Sequence, residues 1–344
     1  MRFVSPLLKR VVYPALHHSG WLKRSQRSAC SIVNYHGVLP DDSPDGDGFL
    51  DGNLVSLEGF QRQLRFLKTH YRIIEPEDYR AWIKQGKAVP DRAVLVTCDD
   101  GLLNTLTEMF PVLQAEDLRC LFFITGASCR DDPGMLWYEE LYHLLRAQTS
   151  GTNLKLPTKG QEITGTADSS FRKKWWDAVV WASGLDASAR AEWMGVQRGK
   201  SNLAPSARSE RRWRLLNSCE LVQMARAGMS IGAHTLSHPV LSRCSEEEAR
   251  REIAESKIEL ERALGCPVWA LAYPFGNLDT VGEREVRMAR DAGFECAFLN
   301  VDGGETRPNP FALGRTHITA DMNLAELEAH MTGFHARLQQ AIRG

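Results

Sequence analysis

The chain has 344 residues, 43% hydrophobic and 25% charged, the composition of a soluble globular protein with room for one large α/β domain or two average ones. Its formal net charge of −1 gives no electrostatic case for nucleic-acid binding, and no apolar run approaches the ~18 residues a transmembrane helix needs. The eight cysteines form no CxxC pair and no zinc-ligand spacing, so they read as reduced thiols in a reducing compartment.

Residues 1–29 read as a basic N-terminal arm, with no Asp or Glu among the first 27 residues. Pro6 and Pro14 interrupt it, and Lys9 and Arg10 split its apolar stretch, so it does not read as a signal peptide. Two readings are open: an arm folded onto the domain, which the pattern favours, and peripheral contact with an anionic membrane surface. The expected location is cytoplasmic or membrane-peripheral.

Candidate strands lie at 31–36, 93–98, 120–125, 229–234, 268–273, 295–299 and 312–318. Candidate helices lie between them at 56–69, 76–85, 103–115, 217–227, 246–264 and 280–292, with a C-terminal helix at 323–341. Apolar runs of strand length alternating with helical patterns predict an α/β fold, a mainly parallel sheet covered by helices. Open sheet and closed barrel share this pattern, and both place chemistry at the C-terminal ends of the strands. Ser245 and Glu248 read as a capping box, with Gly265 as the stop; Ser56 starts a helix without one. Residues 130–215 break the rhythm and read as a helical insertion. They hold Trp137, Trp175, Trp176, Trp193 and Trp213 around a polar centre at 149–170. Those tryptophans either shape a groove or only anchor the insertion.

AVLVTCDDG, residues 93–101, buries a strand and ends it in two adjacent carboxylates. Their repulsion and lost hydration need an offset, and a bound cation is the usual one. In SIGAHTLSHPVLS, residues 230–242, His234 and His238 stand four apart after another strand candidate, so both rings can face one point. Two histidines and a carboxylate suit a divalent ion of the zinc, cobalt, nickel or manganese type. One aspartate would then be a ligand, leaving the other free as a base.

TCDDG, HTLSHP and AYPFG (272–276) resemble the successive motifs of the polysaccharide deacetylases, the NodB-homology or carbohydrate esterase family 4 group. The resemblance spans about residues 30–322 apart from the insertion, and implies a distorted (β/α) barrel with one divalent metal ion, expected to be zinc. It implies Asp100, His234 and His238 as metal ligands, Asp99 as general base and the Tyr273 N–H as an oxyanion donor. The substrate implied is an N-acetylated polysaccharide or glycan. Another amide or ester substrate, or a non-catalytic carbohydrate-binding role, is the alternative.

Two departures from the family pattern set further expectations. Ala272 replaces the arginine that opens the third motif, and Arg315 is expected to supply the guanidinium from another strand. His36, ending IVNYHG, resembles the upstream Tyr-His of circularly permuted members and is favoured over His317 as general acid. His17–His18 and the charged stretch 206–214 carry no catalytic role in this reading. Gly303–Gly304 reads as a loop, since no phosphate-binding motif accompanies it.

Overall fold

The computed structural model describes residues 5–26, 29–39, 50–147, 154–155, 162–163, 169–200, 207–302 and 309–343. Seven strands form one curled parallel sheet: β1 (Cys30–Tyr35), β2 (Ala93–Cys98), β3 (Leu121–Ile124), β4 (Ser230–Ala233), β5 (Ala270–Ala272), β6 (Cys296–Phe298) and β7 (Thr316–His317). Their spatial order is β6-β5-β4-β3-β2-β1-β7, and a short strand at Arg72–Ile73 pairs with the start of β2.

One segment closes the curl. β7 pairs with β1, while Leu313, just ahead of it, bridges Phe298 of β6. Leu299 N–H donates to the Leu313 carbonyl at 2.8 Å and Leu313 N–H to the Ala297 carbonyl at 3.0 Å. The result is a distorted (β/α) barrel.

Every residue of β1 and β2 is buried, as parallel strands covered on both faces require. Side chains alternate between two cores. Ile32, Leu95, Leu121, Phe123, Ala270 and Phe298 fill one. Val33, Val94, Val96, Phe122, Ile231 and Leu271 pack with the helices in the other. The same alternation sets Asn34 and His36 on the face of Ile32, and Thr97 and Asp99 on the face of Leu95. Polar groups at the strand tips are thereby carried to the barrel mouth.

Gly232 of β4 is required by this packing. A Cβ there would stand 2.6 Å from the Phe123 ring and 3.1 Å from the Ala270 carbonyl oxygen. Gly232→Ala is expected to cost about 1–3 kcal/mol through overpacking, read as a lower urea midpoint with unchanged slope.

The helices follow the expected positions with two differences. Ser245 accepts from Glu248 N–H at 3.1 Å, but the reciprocal half of the capping box is not made. The Glu248 carboxylate instead accepts from Ala187 N–H in the insertion at 2.5 Å. The single C-terminal helix expected at 323–341 is two, Leu324–Met331 and Phe334–Arg343, because Gly333 takes φ 69° and breaks the run. Ser56 caps its helix through Gly59 N–H without a box.

In the insertion, helices span Trp137–Ala147, Ser169–Ala182, Ala187–Lys200 and Ala207–Trp213. They enclose an apolar cluster around Leu141, Tyr142, Phe171, Trp175 and Trp213. The bridge Met135↔Arg214 pinches its two ends together, and Leu102↔Leu215 ties its end to the loop after β2. Most of the polar centre at 149–170 lies outside the described residues, as does Gly303–Gly304; the described part includes a strand pair, Leu154–Lys155 with Glu162–Ile163.

The described part of the arm is helical and folded against the C-terminal helices. Tyr13 and Leu22 are fully buried beside Ala325 and Ala329. Lys9 pairs with Asp321 at 2.6 Å and Glu326 at 3.0 Å, and His17 with Glu328 at 2.6 Å, so part of the arm's basic charge is spent inside the protein. No helix among the described residues is long and apolar enough to cross a membrane. All eight cysteines are free.

Candidate active site

Two loops at the C-terminal ends of β2 and β4 meet at the barrel mouth. Asp100 Oδ1 lies 3.3 Å from His234 Nε2 and 3.4 Å from His238 Nε2, and all three side chains are almost fully buried. His234 Nδ1 lies 2.8 Å from the Ala272 carbonyl oxygen. A carbonyl only accepts, so Nδ1 carries the proton and Nε2 presents its lone pair to Asp100. The His238 ring is held between Tyr138 and Phe275, with centroids at 5.4 Å and 5.1 Å. Two imidazole nitrogens and a carboxylate oxygen at mutual contact, buried and with one tautomer fixed, fit a divalent first-row cation.

Strain is concentrated here. Asp100, Thr235, His238 and Phe275 are four of the six non-glycine residues with positive φ among the described residues, and all four belong to the three motifs. Such conformations persist only where the surroundings impose them. Glu252 is one imposing group: it accepts from the N–H groups of Leu236 and Ser237 at 2.9 Å and from Ser237 Oγ at 2.6 Å. It thus fixes the loop between the two histidines. Trp137, at the start of the insertion's first helix, donates its indole N–H to the His238 carbonyl at 3.0 Å.

Asp99 sits in a different environment one residue away. Arg315 donates to both of its oxygens at 2.7 Å, and Asn34 Nδ2 donates to Oδ2 at 2.8 Å. Arg315 is itself fully buried, donates from Nε to the Leu299 carbonyl at 3.0 Å, and lies over the rings of Phe123 and Phe298. Asn34 Oδ1 accepts from Arg315 and from Thr97 Oγ1, which ties β1, β2 and the segment leading into β7 into one polar knot. Burial pushes the Asp99 carboxyl up, but Arg315, with His234 and His36, more than offsets it and holds the group below the usual carboxylate range. The guanidinium expected from Arg315 therefore does reach Asp99.

His36 Nε2 lies 4.0 Å from Asp99 Oδ2, and its buried Nδ1 has no hydrogen-bond partner among the described residues. Burial lowers its pKa, opposed by Asp100 and Asp99. His317 stacks edge-on against it at 4.7 Å, with its ring nitrogens near Asn300 Nδ2 at 3.0 Å and Asn53 Oδ1 at 3.2 Å.

Tyr273 does not offer its N–H to the site. That N–H donates to the Phe298 carbonyl at 3.0 Å, extending the β5–β6 ladder, and the phenol donates to the Phe311 carbonyl at 3.1 Å. The strand run carries the Tyr273 donor into the sheet. Phe275, two residues on in the same turn, is at φ 61°, and its N–H has no acceptor among the described residues. Besides Phe275, sequence reading missed Asn34, Thr97, Glu252, Tyr138 and Glu139. Period two in SIVNYH marks Asn34 as an inward polar residue two before His36. Glu139, buried near Asp100, is held well above the usual carboxylate range by burial and then by that charge. No local pattern marks it.

Comparison with known proteins agrees with this geometry. Residues 200–297 match the family model described as polysaccharide deacetylase. YxkH of Bacillus subtilis (strain 168), named for the polysaccharide deacetylases, is 18% identical over 315 residues, 91% of this chain and 80% of its own. The Streptococcus pyogenes deacetylase PplD, solved with acetate, aligns over 88% of this chain and 97% of its own, with 17% identity and a TM-score of 0.56. IcaB from Ammonifex degensii aligns over 89% and 98%, with 18% identity and a TM-score of 0.55. The fold is thus that of the deacetylase (β/α) barrels. By the family-model match over residues 200–297, the curated relative and the shared fold, the chain is similar to the polysaccharide deacetylases.

Proposed function

We propose that the chain is a metal-dependent hydrolase that removes N-acetyl groups from an acetylated polysaccharide or glycan. The observation that carries this reading is the adjacency of two differently treated carboxylates. Asp100 faces two imidazole nitrogens, while Asp99, one residue earlier, faces a guanidinium.

Asp100, His234 and His238 would hold the divalent ion, which when bound polarises an amide carbonyl and acidifies water. Asp99 takes the proton from the attacking water. Its carboxylate, kept ionised by Arg315 and oriented by Asn34, stays available over the whole neutral range. We assign the oxyanion-donor role to the Phe275 N–H, since it has no acceptor among the described residues while the Tyr273 N–H is used in the sheet. His36, its Nε2 near Asp99, is the group we assign to protonate the leaving amine, since the imidazole of His317 already sits between two asparagine side chains.

The test is acetate release from N-acetylglucosamine oligomers by the purified chain, before and after chelation, with zinc, cobalt, nickel or manganese restored. Chelation is expected to abolish release and restoration to return it. His36→Phe is expected to lower kcat about 10²-fold or more with metal content unchanged, and His317→Phe to do so much less. The reverse order would give the acid role to His317. A chain that binds metal but frees no acetate from any glycan would point to carbohydrate binding without catalysis, and acetate from other amides or esters alone to a different substrate on the same scaffold.

A further inference from the structure

The insertion's first helix starts at the barrel mouth, and each of its first three residues acts on the catalytic groups. Trp137 donates its indole N–H to the His238 carbonyl at 3.0 Å. Tyr138 packs its ring against those of His238 and Phe275, with centroids at 5.4 Å and 6.0 Å. Glu139 is buried near enough to Asp100 to feel its charge.

Tyr138 is gripped from several sides. The Trp137 ring meets it edge-on at 5.8 Å, and the Trp175 indole N–H donates to its carbonyl oxygen at 2.9 Å. Its hydroxyl is treated differently. It makes no hydrogen bond among the described residues, yet it is not sealed from solvent. Burial raises the phenol pKa, and the charges of Asp100, Glu139 and Asp99 raise it further, so the hydroxyl lies within range of the aspartate pair.

A neutral phenol is a donor of one proton to a hydrogen bond. Beside it stands the Phe275 N–H, in a residue held at φ 61° and likewise without an acceptor among the described residues. Two fixed donors with no partner of their own thus flank one imidazole, that of His238. Such donors do little for the resting protein. They gain a partner when negative charge develops on an oxygen beside them, and, being held in place already, they cost no reorganisation at that moment.

We propose that the Tyr138 hydroxyl is a second oxyanion donor, acting with the Phe275 N–H on the acetyl oxygen as the tetrahedral species forms. The inference rests on the deacetylase reading above. The phenol keeps its proton throughout: it donates a hydrogen bond and transfers nothing. The insertion thereby supplies a catalytic residue as well as a wall of the site.

Tyr138→Phe keeps the ring, its packing and the bond from Trp175, and deletes only the hydroxyl. In the full chain supplied with zinc it is expected to lower kcat for acetate release from N-acetylglucosamine oligomers by about 10²-fold with little change in KM. Metal content and the urea midpoint are expected to stay at the unaltered level, because the hydroxyl holds nothing in the resting protein. Methylphosphonate, a tetrahedral anion of the acetyl group's size, is expected to inhibit the variant about tenfold more weakly, a change that a merely structural role would not produce. The proposal is overturned by an unchanged kcat, by a kcat loss that tracks lost metal or leaves methylphosphonate inhibition intact, or by a raised KM with kcat intact, which puts the hydroxyl on the sugar instead. An unaltered chain that frees no acetate from any N-acetylated sugar overturns the deacetylase reading and this inference together. Acetate released equally fast by the unaltered chain and by Tyr138→Phe overturns this inference alone.

Discussion

Asp99→Asn is expected to lower kcat/KM for acetate release by about 10²–10⁴-fold while the metal content stays at the unaltered level. The amide keeps the shape of the carboxylate and can still accept from Asn34 and Arg315 at one oxygen, but it cannot take a proton from water. Asp100→Asn is expected to differ in kind. It removes a donor that stands 3.3 Å and 3.4 Å from two imidazoles, so activity and the catalytic metal equivalent should fall together. Acetate assays paired with metal analysis separate the two. If Asp99→Asn also loses an equivalent of metal, or keeps full activity, the division of labour between the adjacent aspartates is wrong.

Arg315→Met is expected to be the most destabilising single change at the site. Its guanidinium is fully buried and makes two 2.7 Å contacts to a carboxylate that is also buried. Removing one partner of such a pair strands the other charge, at a cost of about 3–5 kcal/mol. Asp99→Asn in the same chain should restore part of the loss, because the stranded charge is then gone. A double-mutant cycle from urea unfolding measures the coupling, and strict additivity would show that the pair acts independently. The pH dependence has a defined sign. With the Asp99 pKa below its unfolded value near ~3.9, the pair stabilises the protein above that value and loses its contribution as pH falls through the folded value.

Much of the architecture was legible because barrel strands are short, apolar and bounded. AVLVTC was read as 93–98 and forms Ala93–Cys98. The Asp100, His234, His238 grouping was legible because Asp100 and His234 stand just past the ends of such strands, His238 is four residues beyond His234, and strand tips in a parallel barrel face one way. Arg315 was assigned from the alanine at position 272. Less legible was anything depending on how far a ladder extends. The Tyr273 N–H was expected in the site, yet the β5–β6 pairing runs one residue further and consumes it. The division of the last helix turned on Gly333 adopting positive φ, which composition alone does not signal in a run that otherwise favours a helix. Glu248 was assigned to its own helix cap, but a tertiary partner, Ala187 N–H, outcompeted the local one. Period two marks Asn34 as inward but not its partners Asp99 and Arg315, and Glu252 and Glu139 act on residues distant in the chain, where periodicity carries no information.

The seam of the barrel has a consequence for inactivation. The segment from 310 to 317 both completes the ring of strands and delivers the Arg315 guanidinium to Asp99. Those two duties cannot be separated: whatever loosens the ring at this point also withdraws the anchor from the base. On gentle heating, turnover should therefore vanish at a lower temperature than the far-ultraviolet circular dichroism of the helices, as the staves part at this joint while the rest of the cask still stands.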